Sequence, residues 1–226
     1  DGIRDLVRSR GLGDVYKRQN MKHPSFSPHT TKCIASVFSE LDYQALGSVY
    51  CDEGGEAFWK DRRKPCQRFG TNVAKALKER LSPRGRSLYV GAGVAEIPSL
   101  IMETLELNRK VFPHNLRVTE VEILNSVCQK AGFTFLAQPA EIALGTFDHL
   151  WLVSVLNDPE RFPELSALSY NRADPIHFDP IAFAKERQTM WETLSICMQK
   201  LNKPALVTTS IENNHGLSIG VKPRNC

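Results

Sequence analysis

This 226-residue chain has no cysteines paired at metal or redox spacing. Its six cysteines, at 33, 51, 66, 128, 197 and 226, form no CxxC, and no histidine stands beside one at zinc-ligand distance. That excludes zinc ribbons, thioredoxin-like motifs and a readable Cys–His nucleophile pair. Scattered thiols of this kind suit the reduced interior of a cytosolic protein. Long hydrophobic runs are missing too. The longest lies around Leu150–Leu156, far short of the ~20 residues a bilayer-spanning helix needs. Internal repeats and low-complexity tracts are also absent, and charge of one sign is scarce, with a formal net charge of +4.

Part of that +4 sits in a leader that reads as foreign. Asp1–Asp5 (DGIRD) and Ser9–Gln19 (SRGLGDVYKRQ) reverse-translate into strings that resemble the two ends of a short-read sequencing adapter. Leu6-Val7-Arg8 fills the place of a variable index between them. Residues 1–19 are therefore expected to be adapter-derived and are left out of fold reasoning. Without their five basic and three acidic residues the net charge falls to +2. So balanced a chain offers no electrostatic reason to expect a nucleic-acid or membrane partner.

From residue 20 to 86 the pattern is mostly helical, interrupted around Cys51–Gly55. Phe69, Val73, Leu77 and Leu81 recur at spacing four, one apolar stripe of a helix. Ser82-Pro83-Arg84-Gly85 breaks the chain. From 87 to 226, strands and helices alternate. Ser87–Val90 is a short apolar strand ending in Gly91-Ala92-Gly93. Ile97–Leu107 follows as a helix, with Pro98 tolerated in its first turn. Leu116–Glu122 (LRVTEVE) is expected as a second strand, Leu124–Ala131 as a helix and Phe133–Leu136 as a third strand. His149–Leu156 is a fourth, apolar throughout as a strand covered on both faces should be. Asp179-Pro180 caps a helix carrying Met190, Leu194, Met198 and Leu201, and Ala205–Ile211 is the fifth strand. Right-handed crossovers then give a doubly wound, Rossmann-like parallel sheet.

In such a sheet a ligand sits beyond the carboxyl ends of the strands, beside the first one. Gly91-Ala92-Gly93 marks that place, because glycines allow a sharp turn and a close backbone approach. Glu122, at the expected end of the second strand, is positioned to accept hydrogen bonds from ribose hydroxyls. A dinucleotide fingerprint wants a third glycine at position 96, where this chain has Glu96. A nicotinamide-dependent oxidoreductase is disfavoured on that ground.

The run LYVGAGVAEIP resembles the first motif of the class I S-adenosylmethionine-dependent methyltransferases, and VTEVE resembles that family's second, acidic motif. AQPAEIALGTFDHLWLVSVL resembles its third and fourth strands, and LNKPALVTTSI its helix, turn and fifth strand. The resemblance covers about residues 86–212 and implies S-adenosylmethionine as cofactor and strand order 3-2-1-4-5. It puts Gly91, Ala92 and Gly93 beneath the methionine and ribose, Glu122 on the ribose hydroxyls, and Ala140-Glu141 beside the adenine. Two positions depart from the family. Tyr89 replaces an acidic residue at the methionine end, and Pro139 replaces an Asp near the adenine amino group. Core packing and a turn are the plainer roles for these two.

Asn157 and Asp158, just after the fourth strand, are the candidates for substrate-side chemistry, with turn capping as the competing role for Asp158. Tyr170, Asn171 and His177 are candidates for a lid over the site. The methyl acceptor is unspecified, and a methyltransferase-like binding protein without catalysis is the alternative. The family's sheet normally continues through a further helix and two strands after the fifth, so the domain is expected to be truncated after Cys226.

Overall fold

The computed structural model describes residues 25–51, 55–156, 158–169, 174 and 177–210. The expected adapter segment, Asn157, Tyr170, Asn171 and everything beyond Ser210 lie outside the described residues.

Among the described residues, four helices come first. Helix α1 (Pro28–Glu40) starts where Ser27 Oγ accepts the Thr30 N–H at 3.1 Å, with proline in the first turn. It buries Thr30, Ile34, Val37 and Phe38, one face at spacings of three and four. Asp42 caps α2 (Tyr43–Tyr50) by accepting the Ala45 N–H at 2.9 Å. Two more, α3 (Gly55–Lys60) and α4 (Arg63–Lys78), complete the segment. In α4 the buried line is Gly70, Ala74 and Leu77. The expected stripe is only half right, because Phe69 at its start is 54% exposed.

The rest alternates: β1 (Arg86–Val90), a 3-10 turn over Val94–Glu96, α5 (Ile97–Leu105), β2 (Lys110–His114), α6 (Val118–Cys128), β3 (Phe147–Leu152), α7 (Pro163–Ser169), α8 (Pro180–Gln199) and β4 (Leu201–Thr209). All pairs are parallel, in the order β2-β1-β3-β4. The architecture is α/β, with helices on both faces of a parallel sheet.

Three expectations need correction. The second strand is Lys110–His114, not LRVTEVE. It contains Pro113, whose missing N–H harms nothing: Lys110 N and His114 O face β1, so residue 113 turns its nitrogen to the outer edge. The LRVTEVE segment instead enters α6, because Val118, Val121, Leu124 and Cys128 recur at helical spacing and three of them are buried. The third strand shrinks to one parallel bridge between Leu136 and His114, so the order 3-2-1-4-5 becomes a four-strand order among the described residues.

Strand alternation divides the interior. On β1 and β3, Leu88, Val90, Leu150 and Leu152 face α8 with Leu194 and Cys197. Tyr89 and Trp151 face the other way, into a larger cluster with α5, α6 and the apolar faces of α1, α2 and α4. The N-terminal helices thus close one side of the sheet and reach the carboxyl ends of its strands. No described helix is long and apolar enough to cross a membrane.

Candidate functional site

A cleft of about 700 Å³ opens at the carboxyl ends of β1, β2 and β3, within the 300–1,000 Å³ typical of small-molecule sites. Its floor is the turn after β1. Gly91 sits at φ +65°, and a Cβ there would lie 2.8 Å from Val155 Cγ2, so glycine is required on both counts. At Gly93 a Cβ would lie 2.9 Å from Glu120 Oε1 and 3.4 Å from the Tyr50 hydroxyl. Ala92 does not line the cleft. It is fully buried, tied to β2 by its N–H to the His114 carbonyl and by Asn115 Nδ2 donating to its own carbonyl at 2.8 Å. The turn is packed tightly against α4, where a Cβ on Gly70 would collide with the Ala95 carbonyl oxygen.

Two carboxylates border this turn. Glu96 Oε2 accepts the Gly93 N–H at 2.8 Å, and burial raises its carboxyl to about 7. Glu120, in the first turn of α6, accepts a hydrogen bond from the Tyr50 hydroxyl through Oε1. Among the described residues its buried Oε2 has no hydrogen-bond partner, and it lies 3.7 Å from Arg117 Nη1. Burial raises the Glu120 carboxyl as well, against the pull of Tyr50. Arg117 is shared, with its closer contact at 2.7 Å to Glu160.

On the β2 side, His114 lines the cleft with Nδ1 3.2 Å from the Gln138 carbonyl. That contact places the proton on Nδ1, leaving Nε2 an acceptor, and Nε2 is buried without a partner. Burial lowers the imidazole's pKa and keeps it neutral. Pro139, Ala140 and Glu141 follow as a cleft-lining turn. The Glu141 carboxylate is already engaged, by Thr193 Oγ1 at 2.8 Å and Arg161 at 3.4 Å. Although burial opposes it, these bonds and its own backbone N–H hold Glu141 below the usual carboxylate range.

Over the cleft stands an aromatic roof from the N-terminal helices: Tyr50, Phe58, Trp59 and Phe69. Tyr50 stacks on Phe58 at 5.6 Å, and Trp59 meets both rings edge-on.

The expected site residues separate accordingly. Gly91, Gly93, Ala140 and Glu141 meet at one cleft, as does Asp158, whose Oδ1 also caps a turn by accepting the Glu160 N–H at 2.9 Å. Glu122 does not join them: it lies on the exposed side of α6, because its segment is a helix rather than a strand. Two residues earlier, Glu120 turns inward. His177 is exposed, bonded to Asp174 at 2.6 Å, and does not line the cleft. Tyr89 is a core residue, fully buried, stacked on Trp151 at 5.3 Å and donating to Glu103 Oε1 at 2.6 Å. Sequence reading missed Tyr50, His114, Arg117 and Glu120. The valine spacing of α6 would have revealed Glu120, while the others carry no local signal.

No protein-family model and no curated protein matches the chain. Among solved structures, it is similar to magnesium protoporphyrin IX methyltransferase from Synechocystis PCC 6803, crystallised with bound SAM. That likeness spans 85% of each chain at 14% identity with a TM-score of 0.42, a level that carries no functional argument.

Proposed function

We propose that this cleft binds S-adenosylmethionine and that the protein transfers its methyl group to an acceptor held under the aromatic roof. The observation that carries this is the pairing of a glycine turn with two buried carboxylates. A dinucleotide's pyrophosphate needs free backbone N–H groups and positive surroundings at such a turn. Here Glu96 occupies the Gly93 N–H, which denies that donor to a pyrophosphate, and a ligand with a sulfonium and an ammonium would favour the ionised form of this carboxyl, which burial raises to about 7.

The fit extends to the rest of the ligand. Glu120 Oε2, buried and without a hydrogen-bond partner, is placed to accept from ribose hydroxyls, the role sequence reading gave to Glu122. Gly91 and Gly93 line the cleft with bare backbone, since a Cβ at either would meet Val155 or Glu120. The Pro139–Glu141 turn and the free acceptor of His114 flank the space for the base. When bound, the cofactor supplies an electrophilic methyl group on a positively charged sulfur. The protein aligns the acceptor with it and excludes water, tasks for the rigid turn below and the aromatic roof above. Asp158, at the rim, is the group available to take a proton from the acceptor.

Calorimetric titration with S-adenosylmethionine, S-adenosylhomocysteine and reduced nicotinamide cofactor tests the reading. Binding of the two sulfur compounds and not the dinucleotide is expected. Preference for the dinucleotide, or no binding of either sulfur compound, refutes it.

A further inference from the structure

The cleft has more space than polar floor, and its outer half has a chemistry of its own. Phe69 and Leu116 line it, yet they are 54% and 52% exposed, an apolar mouth left facing water. Three arginines also line the cleft. Arg117 is paired with Glu160 and Glu120, and Arg161 with Glu141. Arg62 is different. Among the described residues it has no carboxylate partner; it donates one N–H to the Phe58 carbonyl at 2.7 Å, and its guanidinium lies 4.4 Å over the Phe58 ring. A guanidinium has five N–H donors, so one bond to Phe58 leaves most of them available to a ligand, and the ring beneath helps to position it.

Charge is therefore graded along the cleft. Buried Glu96 and Glu120 border the glycine turn, while Arg62, without a carboxylate partner among the described residues, is exposed like Phe69 and Leu116 on the outer lining. An anion is drawn to the outer end, where guanidinium donors face it, rather than to the acid side chains of the inner one.

We propose that the methyl acceptor is a small, flat, apolar acid, with its ring against Phe69 and Leu116 and its carboxylate on Arg62. This rests on the methyl-transfer reading of the same cleft. The acid anchors the molecule by the end remote from the reacting atom, so the methylated group faces inward. Phe58, covered by Arg62, completes the wall rather than the contact.

The test uses the full chain, with and without S-adenosylhomocysteine, and two probes of equal shape: naphthalene-2-carboxylate and naphthalene-2-carboxamide. Saturation-transfer NMR gives the affinities. The carboxylate should bind about tenfold tighter than the amide, the scale of one charge-assisted contact at a partly wet site. Arg62→Gln should bind both alike at the amide's affinity, with S-adenosylhomocysteine affinity unchanged. Phe69→Ala should weaken both probes equally. Equal binding of the two probes to the wild type, no binding of either, or a preference that survives Arg62→Gln overturns the proposal. Should the preference follow Arg62 while S-adenosylhomocysteine fails to bind, the methyl-transfer reading falls and the acid site stands without it.

Discussion

Replacing Glu96 with glutamine keeps the acceptor for the Gly93 N–H and removes the ionisable proton. In the folded protein, burial lifts this carboxyl from 4.5 to about 7. The native state therefore holds a proton across that range which the unfolded chain has released. Glu96 contributes most stability below about pH 4.5, and the contribution is lost as pH rises through 7. A shift of about 2.5 units corresponds to roughly 3 kcal/mol. Urea unfolding of wild type and Glu96→Gln at intervals from pH 4.5 to 8 isolates this effect, because other titrating groups largely cancel in the difference. The variant should gain on the wild type by up to about 3 kcal/mol over the range, with the change centred between 5 and 7. Bound S-adenosylmethionine should act oppositely: its positive charge favours the ionised carboxylate, so wild-type affinity should rise with pH up to about 8 and the variant's should stay flat. Stability curves that run parallel would show that Glu96 ionises normally, and the electrostatic case for a cationic ligand would go with it.

Glu120→Ala should weaken S-adenosylhomocysteine binding by roughly 1.5–3 kcal/mol, tenfold or more, whereas Glu122→Ala should leave calorimetric affinity unchanged. Gly70→Ala should lower stability by about 1–3 kcal/mol in a urea melt, since its Cβ meets the Ala95 carbonyl and neither backbone can easily yield. Tyr89→Phe should lower stability by ~1–3 kcal/mol through loss of the bond to buried Glu103, and leave cofactor affinity as it was.

Much of the frame was readable in the chain because local and tertiary preferences agree there. The apolar run of α5 with Pro98 in its first turn is buried nearly throughout, from Ile97 to Glu103. Asp179 caps α8 as its sequence suggested, accepting from Ile181 and Ala182. The glycine turn and the Pro139–Glu141 turn were legible for the same reason, being local devices with local signatures. Reading failed where tertiary packing overrode propensity. The valines and threonine of LRVTEVE favour a strand, but their apolar positions advance by three, and the core takes a helix. Pro113 hid β2, since a proline in a paired strand is tolerated where its nitrogen turns away from the strand it pairs with. That one-element slip moved the expected carboxylate from Glu120 to Glu122. The roof was illegible for another reason: Tyr50, Phe58 and Phe69 come from three helices and meet only after these fold over the sheet.

Tyr89 and Glu96 make sense together. Strand alternation turns residues 87 and 89 of β1 toward α5, where Glu103 is already buried. Glu103 accepts from Ser87, Tyr89 and Arg109 and lies 3.2 Å from His149 Nδ1, while Arg109 also pairs with Asp148. These partners hold the Glu103 carboxyl below its ordinary range despite burial, which would raise it. An acidic side chain at 89 would bring a second buried carboxylate against the first, and like charges in a low dielectric repel strongly. A tyrosine there donates instead, and the network is satisfied. The negative charge bordering the glycine turn then comes from residue 96, in the turn leading into α5, reached without crossing that network. An exchange of the two, Tyr89→Glu with Glu96→Tyr, should therefore fail to fold, because it destroys a satisfied buried network and leaves the Gly93 N–H without its acceptor.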